Sequence, residues 1–294
     1  MNFVIFDMEF NNYNRELFDR SKSSDINAQC PNEIIEIGAM KLDKDLNVID
    51  NLKLYIKPVI YRHINPVVAG MTGITEEQLN KGVDFCTAIE KFRIFSGENM
   101  IICSWAKDDI IELIRNANFH KYKNLSWIDK YIDIQDYCTK ALGEKNCLSL
   151  KRALSKLNID FNEEELHDAL YDTEFTVEVF KKIYHMRDLK EYIVENIHAM
   201  PAITVTNASE VHIEEECIKL HCPKCRKKVK MKYPFKFLDW RFISIGYCEK
   251  CGCNFLEEVV VKKNITGKKT YIIKQKILRE DRYLEIMDKY KIIS

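Results

Sequence analysis

The sequence predicts an α/β body built on a mixed sheet flanked by helices, followed by a small β-rich unit. Three observations carry that reading. The chain opens on an apolar run, FVIFDMEF at residues 3–10, of the kind that forms a buried central strand. Strand-like and amphipathic helical stretches then follow one another to about residue 200. Beyond that point the texture changes, and six of the 11 cysteines crowd between Cys217 and Cys253. Charge divides at the same place. Residues 1–200 carry 25 Lys+Arg against 33 Asp+Glu, and residues 201–294 carry 20 against 12, so a net charge of zero hides −8 and +8. We therefore expect two domains, 1–200 and 201–294: an acidic body suited to metal ions and a basic appendage suited to a polyanion.

With 294 residues, 46% hydrophobic and 31% charged, the chain has the composition of a soluble globular protein. No apolar run approaches the length of a membrane span, and the N-terminus leads straight into a strand. No membrane partner and a cytoplasmic location are the expectations. Cys30, Cys86, Cys103, Cys138 and Cys147 are scattered, as reduced residues in or near a core would be.

In chain order, the first strand gives way to a polar loop at residues 10–32, long enough to be functional or disordered. NEIIEIGAMKLD and NVIDNLKLYIKP read as strands about a turn near Asp43–Leu46, with Pro58 closing the second. Thr75 and Gln78 form a capping box. Residues 84–96 form an amphipathic helix with Phe85, Ile89, Phe92 and Phe95 on one face. NMIICSW is another buried strand, with a helix after it over 107–118. Residues 127–134 read as a strand, and helices are expected over 148–157, 168–186 and 188–199. Met200-Pro201 opens a linker near 200–212. Past the cysteines, EEVVVKKN and KTYIIKQKI alternate like a hairpin about Thr266-Gly267, and a short amphipathic helix is expected at 280–290.

Asp7 and Glu9 point to the same side of the first strand, about 7 Å apart. Two such carboxylates repel unless a cation neutralises them, although a strand ending in solvated acids reads the same way. Asp109 begins a helix just past the buried strand IIC, at the strand end where open α/β sheets bind ligands. An N-cap role competes there, and the neighbouring Asp108 is equally placed. His167 and Asp172 stand five apart in LHDALYD, roughly 140° around a helix. They converge only if His167 lies on the loop entering the helix and Asp172 within its first turns.

Taken in this order, DxE, Asp109, and His167 with Asp172 resemble the DEDDh exonucleases, the DnaQ-like branch of the RNase H-like superfamily. The likeness covers about residues 1–185 and includes PNEIIEIGAM, YIKP, MTGIT, SWAKDD and CLSLKRALSKLNI. These stretches look most like the branch holding the histone-mRNA and small-RNA 3′ exoribonucleases and the KapD-like proteins. Phe10 stands where family members often carry Thr, and W-A-K-D-D replaces their usual W-G-x-x-D; that alignment selects Asp109. The resemblance implies an RNase H-like five-stranded mixed sheet and two-metal phosphodiester hydrolysis at a 3′ end. It implies two Mg²⁺ or Mn²⁺ ions, Asp7 shared between them, Glu9 and Asp172 on one, Asp109 on the other, and His167 as general base. RNA is the preferred substrate and single-stranded DNA the alternative; a non-catalytic adaptor would not need all five positions filled. Met8 and Phe10, with Met71 and Thr72 of MTGI, are candidates to contact the terminal bases, and core packing is an equal alternative for each.

Cys222-Pro-Lys-Cys225 and Cys248-Glu-Lys-Cys251 are two CxxC pairs with 22 residues between them, the form of a zinc ribbon holding one structural Zn²⁺. His221 and Cys253 adjoin the four and could substitute. Residues 219–236 carry eight Lys+Arg and no acid, interleaved with Tyr233 and Phe235 and followed by Phe237. That composition suits phosphate attraction with base stacking, equally a solvated basic face, and zinc ribbons also dock protein partners.

Overall fold

Phe3, Val4, Ile5 and Phe6 are fully buried because β1 (Asn2–Asn12) is the central strand of a five-stranded sheet. β2 (Asn32–Leu42) pairs antiparallel on one side and β4 (Met100–Ser104) parallel on the other. β3 (Val48–Tyr55) lies outside β2 and β5 (Lys130–Asp133) outside β4, giving the order β3-β2-β1-β4-β5. This is the RNase H-like mixed sheet. Our computed structural model describes residues 1–12, 30–162, 166–200, 203–205, 211, 213, 218, 220–238, 240–264 and 268–289. It resolves into two units, Met1–Ile197 and His198–Ser294. Most of the 10–32 loop and the 200–212 linker lies outside the described residues.

Helices cover both faces of the first sheet: α1 (Pro66–Thr72), α2 (Glu76–Lys81), α3 (Phe85–Ser96), α4 (Lys107–Phe119), α5 (Ile134–Ala141), α6 (Leu150–Lys156) and α7 (Ala169–Ile183). Strand alternation sends Phe3 and Ile5 to the face covered by α7, where Phe3 meets Phe180 edge-on at 5.1 Å. Phe6, on the other face, packs on Phe92 of α3. Each such ring contributes about 1.5–3 kcal/mol by burial. Thr75 and Gln78 form the capping box of α2, and Asp84 caps α3. Phe95, placed on the buried face by periodicity, is instead half-buried, with the Lys41 ammonium over its ring.

The far end of β1 is fastened to the chain after β3. Asn11, fully buried, donates from its amide nitrogen to the Tyr61 and His63 carbonyls at 2.9 and 3.0 Å. Its carbonyl oxygen accepts the Asn65 N–H at 2.9 Å, and Asn65 caps α1.

Two expected elements differ. The strand predicted over 127–134 shrinks to Lys130–Asp133, because Ile128 closes a turn onto Leu125 and Asp133 caps α5. The helix predicted over 188–199 does not form. Two short 3₁₀ turns, Leu189–Tyr192 and Ile197–Ala199, flank Val194, which exchanges both backbone hydrogen bonds with Tyr131 at the sheet edge.

In the second unit, β7 (Lys236–Leu238), β8 (Arg241–Cys248), β9 (Cys253–Lys263) and β10 (Lys269–Leu278) form an antiparallel sheet in the order β10-β9-β8-β7. β6 (Ile203–Thr204) pairs with the end of β9, and α8 (Glu280–Lys289) follows β10. Val205, Phe242 and Val259 share one small core; Ile243, Ile245 and Leu256 share another with Met287 of α8. The tip of the β9–β10 hairpin, with Thr266-Gly267, lies outside the described residues. Among those described, no helix is long and apolar enough to cross a membrane.

Candidate active site

The β1–β4 pairing ends at Phe6 and Ser104, so Asp7 and Glu9 stand just beyond the C-terminal end of the parallel strands. α4 starts there and brings in Asp109 at its third residue, 8% exposed, while Asp108 stays exposed. The structure thus brings Asp109 to the Asp7 group and leaves Asp108 at the rim. Asp172 comes from the first turns of α7, and carboxylate oxygens of Asp7, Glu9 and Asp172 lie within 4.8 Å of one another.

His167 precedes the helix with φ +72°, Asp168 caps it, and the His167 N–H donates to Asp172 Oδ2 at 3.2 Å. The left-handed turn brings together two residues that a continuous helix would hold apart, and it leaves His167 exposed. α7 seats here because Gly38, opposite Asp7 on β2, has no side chain: a Cβ would lie 2.3 Å from the Ala169 carbonyl carbon. Thr173 Oγ1 fastens the contact, donating to the Gly38 carbonyl at 3.1 Å.

Sequence reasoning missed three neighbours of this site. Glu36, opposite Glu9 in the β1–β2 register, is buried and ion-paired with Lys53 Nζ at 2.9 Å. Lys53 also pairs with Asp168, so one cation ties β2 and β3 to the start of α7. Burial opposes its charge, but the two carboxylates prevail and hold the Lys53 ammonium well above its usual range. The signal available was an acid in PNEIIEIG facing the DxE strand, and it could not reveal the partner.

Burial, then Asp109, Asp172, Glu9 and Glu36, push the Asp7 carboxyl well up. Burial, Asp172 and Glu36 raise Glu9 from its ordinary 4.5 to about 9. Asp109 rises from 3.8 to about 8 through burial and Asp108, against hydrogen bonds from the Asp109 and Met8 amides. Burial raises Asp172 too, against the His167 N–H, and its Oδ1 is buried with no hydrogen-bond partner among the described residues. An all-oxygen, charge-frustrated set with an orphaned acceptor fits hard divalent cations. A consequence is testable without turnover. Free of divalent ions, the folded protein holds protons that the unfolded chain releases above about pH 4.5, so its stability falls as pH rises toward about 9. The Tm in Mg²⁺-free buffer should drop across that window, and millimolar Mg²⁺ should flatten the drop; a pH-independent Tm without Mg²⁺ would contradict the charge cluster.

Of the residues expected to touch bases, Met8 is 3% exposed. Alternation turns its side chain to the strand face opposite Asp7 and Glu9, so it packs in the core. Phe10 follows a register shift after Glu9 and is half-buried; Met71 is 54% exposed. Thr72 is half-buried, its hydroxyl donating to the Val68 carbonyl at 2.9 Å.

In the second unit the four CxxC sulfurs converge. Cys222 and Cys251 Sγ lie 4.0 Å apart and Cys225 and Cys248 Sγ 3.7 Å apart, and all four fall within 4.8 Å of one another. A tetrahedron with Zn–S bonds of ~2.3 Å has sulfur–sulfur edges of about 3.8 Å, so the cluster could bind zinc. Both knuckles turn alike, with Arg226 and Gly252 each at φ +58°. The Lys224 N–H points at Cys222 Sγ at 3.3 Å; burial opposes ionisation, yet the Cys225 and Lys224 amides draw that thiol down to about 6. His221 bridges to Lys228 and Cys253 faces Cys248 across the hairpin; neither belongs to the four-sulfur group.

Comparison with known proteins addresses the chemistry. The DNA polymerase III PolC-type proteins of Mycoplasma genitalium and Ureaplasma parvum are 29% and 27% identical over 161 and 154 residues. Those matches cover 54% and 51% of this chain and 10% of each relative, so the chain spans about a tenth of their length. Among solved structures, a 3′-exonuclease with its histone mRNA stem-loop superposes with a TM-score of 0.53 at 16% identity, over 68% of this chain and 72% of that one. Cell-death related nuclease 4 gives 0.52 at 14%, over 77% and 87%. The model of the exonuclease family RNase_T matches residues 4–180, from the strand of Asp7 and Glu9 to the helix of Asp172. More than half of the chain lies in that match, and the protein belongs to the RNase_T exonuclease family.

Proposed function

We propose that the first unit hydrolyses the terminal phosphodiester of an RNA 3′ end, releasing nucleoside 5′-monophosphates, with Asp7, Glu9, Asp109 and Asp172 as ligands to two Mg²⁺ or Mn²⁺ ions. The observation that carries this is the group of four carboxylates drawn from β1, α4 and α7, each raised in pKa by burial together with its acidic neighbours. The ions, when bound, supply Lewis-acid stabilisation of the phosphate charge and lower the pKa of a water. Asp7, beside Glu9, Asp172 and Asp109, would be the ligand shared by the ions, with Glu9 and Asp172 completing the set of one and Asp109 that of the other. His167, exposed at the rim, takes the proton from the attacking water as the P–O3′ bond breaks.

RNA is our preferred substrate because PNEIIEIGAM, SWAKDD and CLSLKRALSKLNI look most like the branch of histone-mRNA, small-RNA and KapD-like enzymes. Single-stranded DNA is the second reading, favoured by the PolC-type sequence relatives. The Cys222, Cys225, Cys248 and Cys251 cluster we read as a structural zinc site of a ribbon domain that binds nucleic acid, with a protein partner as the other use of the same surface.

Labelled RNA and DNA, with Mg²⁺, Mn²⁺ or EDTA, test the reaction. A 3′ label should leave first as a mononucleotide and a 5′ label should yield a shortening ladder; cleavage in EDTA would overturn the mechanism. His167→Ala should lower turnover by roughly 10²–10⁴ with little change in substrate affinity. Weakened binding at unchanged turnover would show that His167 only positions the strand.

A further inference from the structure

The second unit carries a groove of about 550 Å³ beside the cysteine cluster, lined by Lys227, Lys228, Lys230, Lys232, Tyr247 and Lys250. Its wall is built by sequence alternation. Val229, Met231 and Tyr233 turn inward onto the two small cores, while Lys228, Lys230 and Lys232 are exposed. Met231 makes an isolated bridge to Gly246, the Lys232 N–H donates to the Ile245 carbonyl at 2.8 Å and Lys228 bridges to His221, so the segment is held in place beside β8. Where such a segment is extended, alternate residues lie up to about 6.8 Å apart, so three exposed lysines can follow the backbone of a single strand.

Lys250 lies inside the second knuckle, between Cys248 and Cys251, and Tyr247 immediately precedes that knuckle, 43% exposed. Lys232 is committed in part, donating to Tyr283 Oη at 2.9 Å. Among the described residues no ion pair engages Lys227, Lys228, Lys230 or Lys250, and Glu249 is the one acid in the lining. Lysines on a strand edge also guard against edge-to-edge association. That purpose needs no large aromatic exposed among them, whereas recognition of a single strand needs both.

We propose that this groove is a binding site for single-stranded nucleic acid, with phosphates along Lys228, Lys230 and Lys232 and a base stacked on Tyr247. Lys227 and Lys250 supply further charge in its lining. The site rests on the exonuclease reading for the identity of its ligand, and the two can fail separately.

The test uses the full chain with Asp7→Asn to prevent cleavage, and a labelled strand of ~20 nucleotides across a salt series. Lys228→Glu with Lys230→Glu should lower affinity and make the log–log salt slope shallower by about 1.4, two phosphate contacts at 0.7 each. Tyr247→Ala should weaken binding roughly 5- to 150-fold with the slope unchanged, and Tyr247→Phe should restore it. Unchanged affinity and slope in the lysine variant would overturn the proposal and favour an acidic protein as the ligand. An inert Tyr247→Ala would remove the stacking half. With Asp7 intact, the lysine variant should still cleave a dinucleotide at the wild-type rate. If wild type cleaves nothing while binding still depends on the groove, the exonuclease reading fails and this site stands.

Discussion

Asp7→Asn is expected to abolish exonuclease activity while leaving the fold intact. The Asp7 carboxyl is raised by burial and then by Asp109, Asp172, Glu9 and Glu36. On the proposed mechanism, an amide there would remove the ligand shared between two cations and forfeit several kcal/mol of charge stabilisation at the phosphate. Each 1.36 kcal/mol is tenfold in rate, so turnover should fall by about 10³-fold or more. Stability should move the other way in the absence of divalent ions, because one of the mutually repelling acids is gone. Turnover on a 3′-labelled strand and a denaturant midpoint in Mg²⁺-free buffer check both halves. A variant that turns over within tenfold of wild type would remove Asp7 from the centre of the mechanism.

Gly38→Ala is expected to damage both folding and catalysis, although residue 38 touches no substrate. The new methyl group would lie 2.3 Å from the carbonyl carbon and oxygen of Ala169 and 2.4 Å from the Leu170 nitrogen, all of them backbone. No side chain can rotate away, so α7 must lift from β2. Overpacking of this sort costs about 1–3 kcal/mol or more. The displaced helix carries Asp172 and is preceded by His167, and a shift near 1 Å at reacting groups can cost about 10²-fold in rate. Urea denaturation should show a lower midpoint at unchanged m, with kcat down by about that factor. A midpoint and kcat both equal to wild type would mean the helix is not seated by this contact.

Local signals in the sequence carried the parts of the fold that local physics decides. The run from Phe3 to Phe6, the Thr75/Gln78 capping box and the CxxC knuckles are each specified by neighbours within a few residues. Partnerships across the chain were not legible. Val194 looks helical until the free edge of Tyr131 captures it, a choice made 63 residues away. Lys53 carries no mark of its pairing with Glu36 and Asp168, since register and helix placement together create it. The candidate site divides the same way. DxE and Asp109 could be placed at strand ends from pattern alone and the family alignment selected Asp109, while only the geometry of α4 shows Asp109 buried and Asp108 exposed. The convergence of His167 on Asp172 depended on a left-handed residue just before the helix, which spacing allowed but could not require.

The Asn11 amide makes a mechanical statement about the substrate side of the first unit. Three of its hydrogen bonds join β1, two residues past Glu9, to the Tyr61, His63 and Asn65 backbone. Asn65 in turn starts α1, which carries Met71 and Thr72. A flap that opens and closes needs a slack joint at its root, and here the root is riveted to the strand that bears the carboxylates. The start of α1 is therefore tied to the strand bearing Asp7 and Glu9, with that spacing set when the sheet forms rather than when a strand arrives.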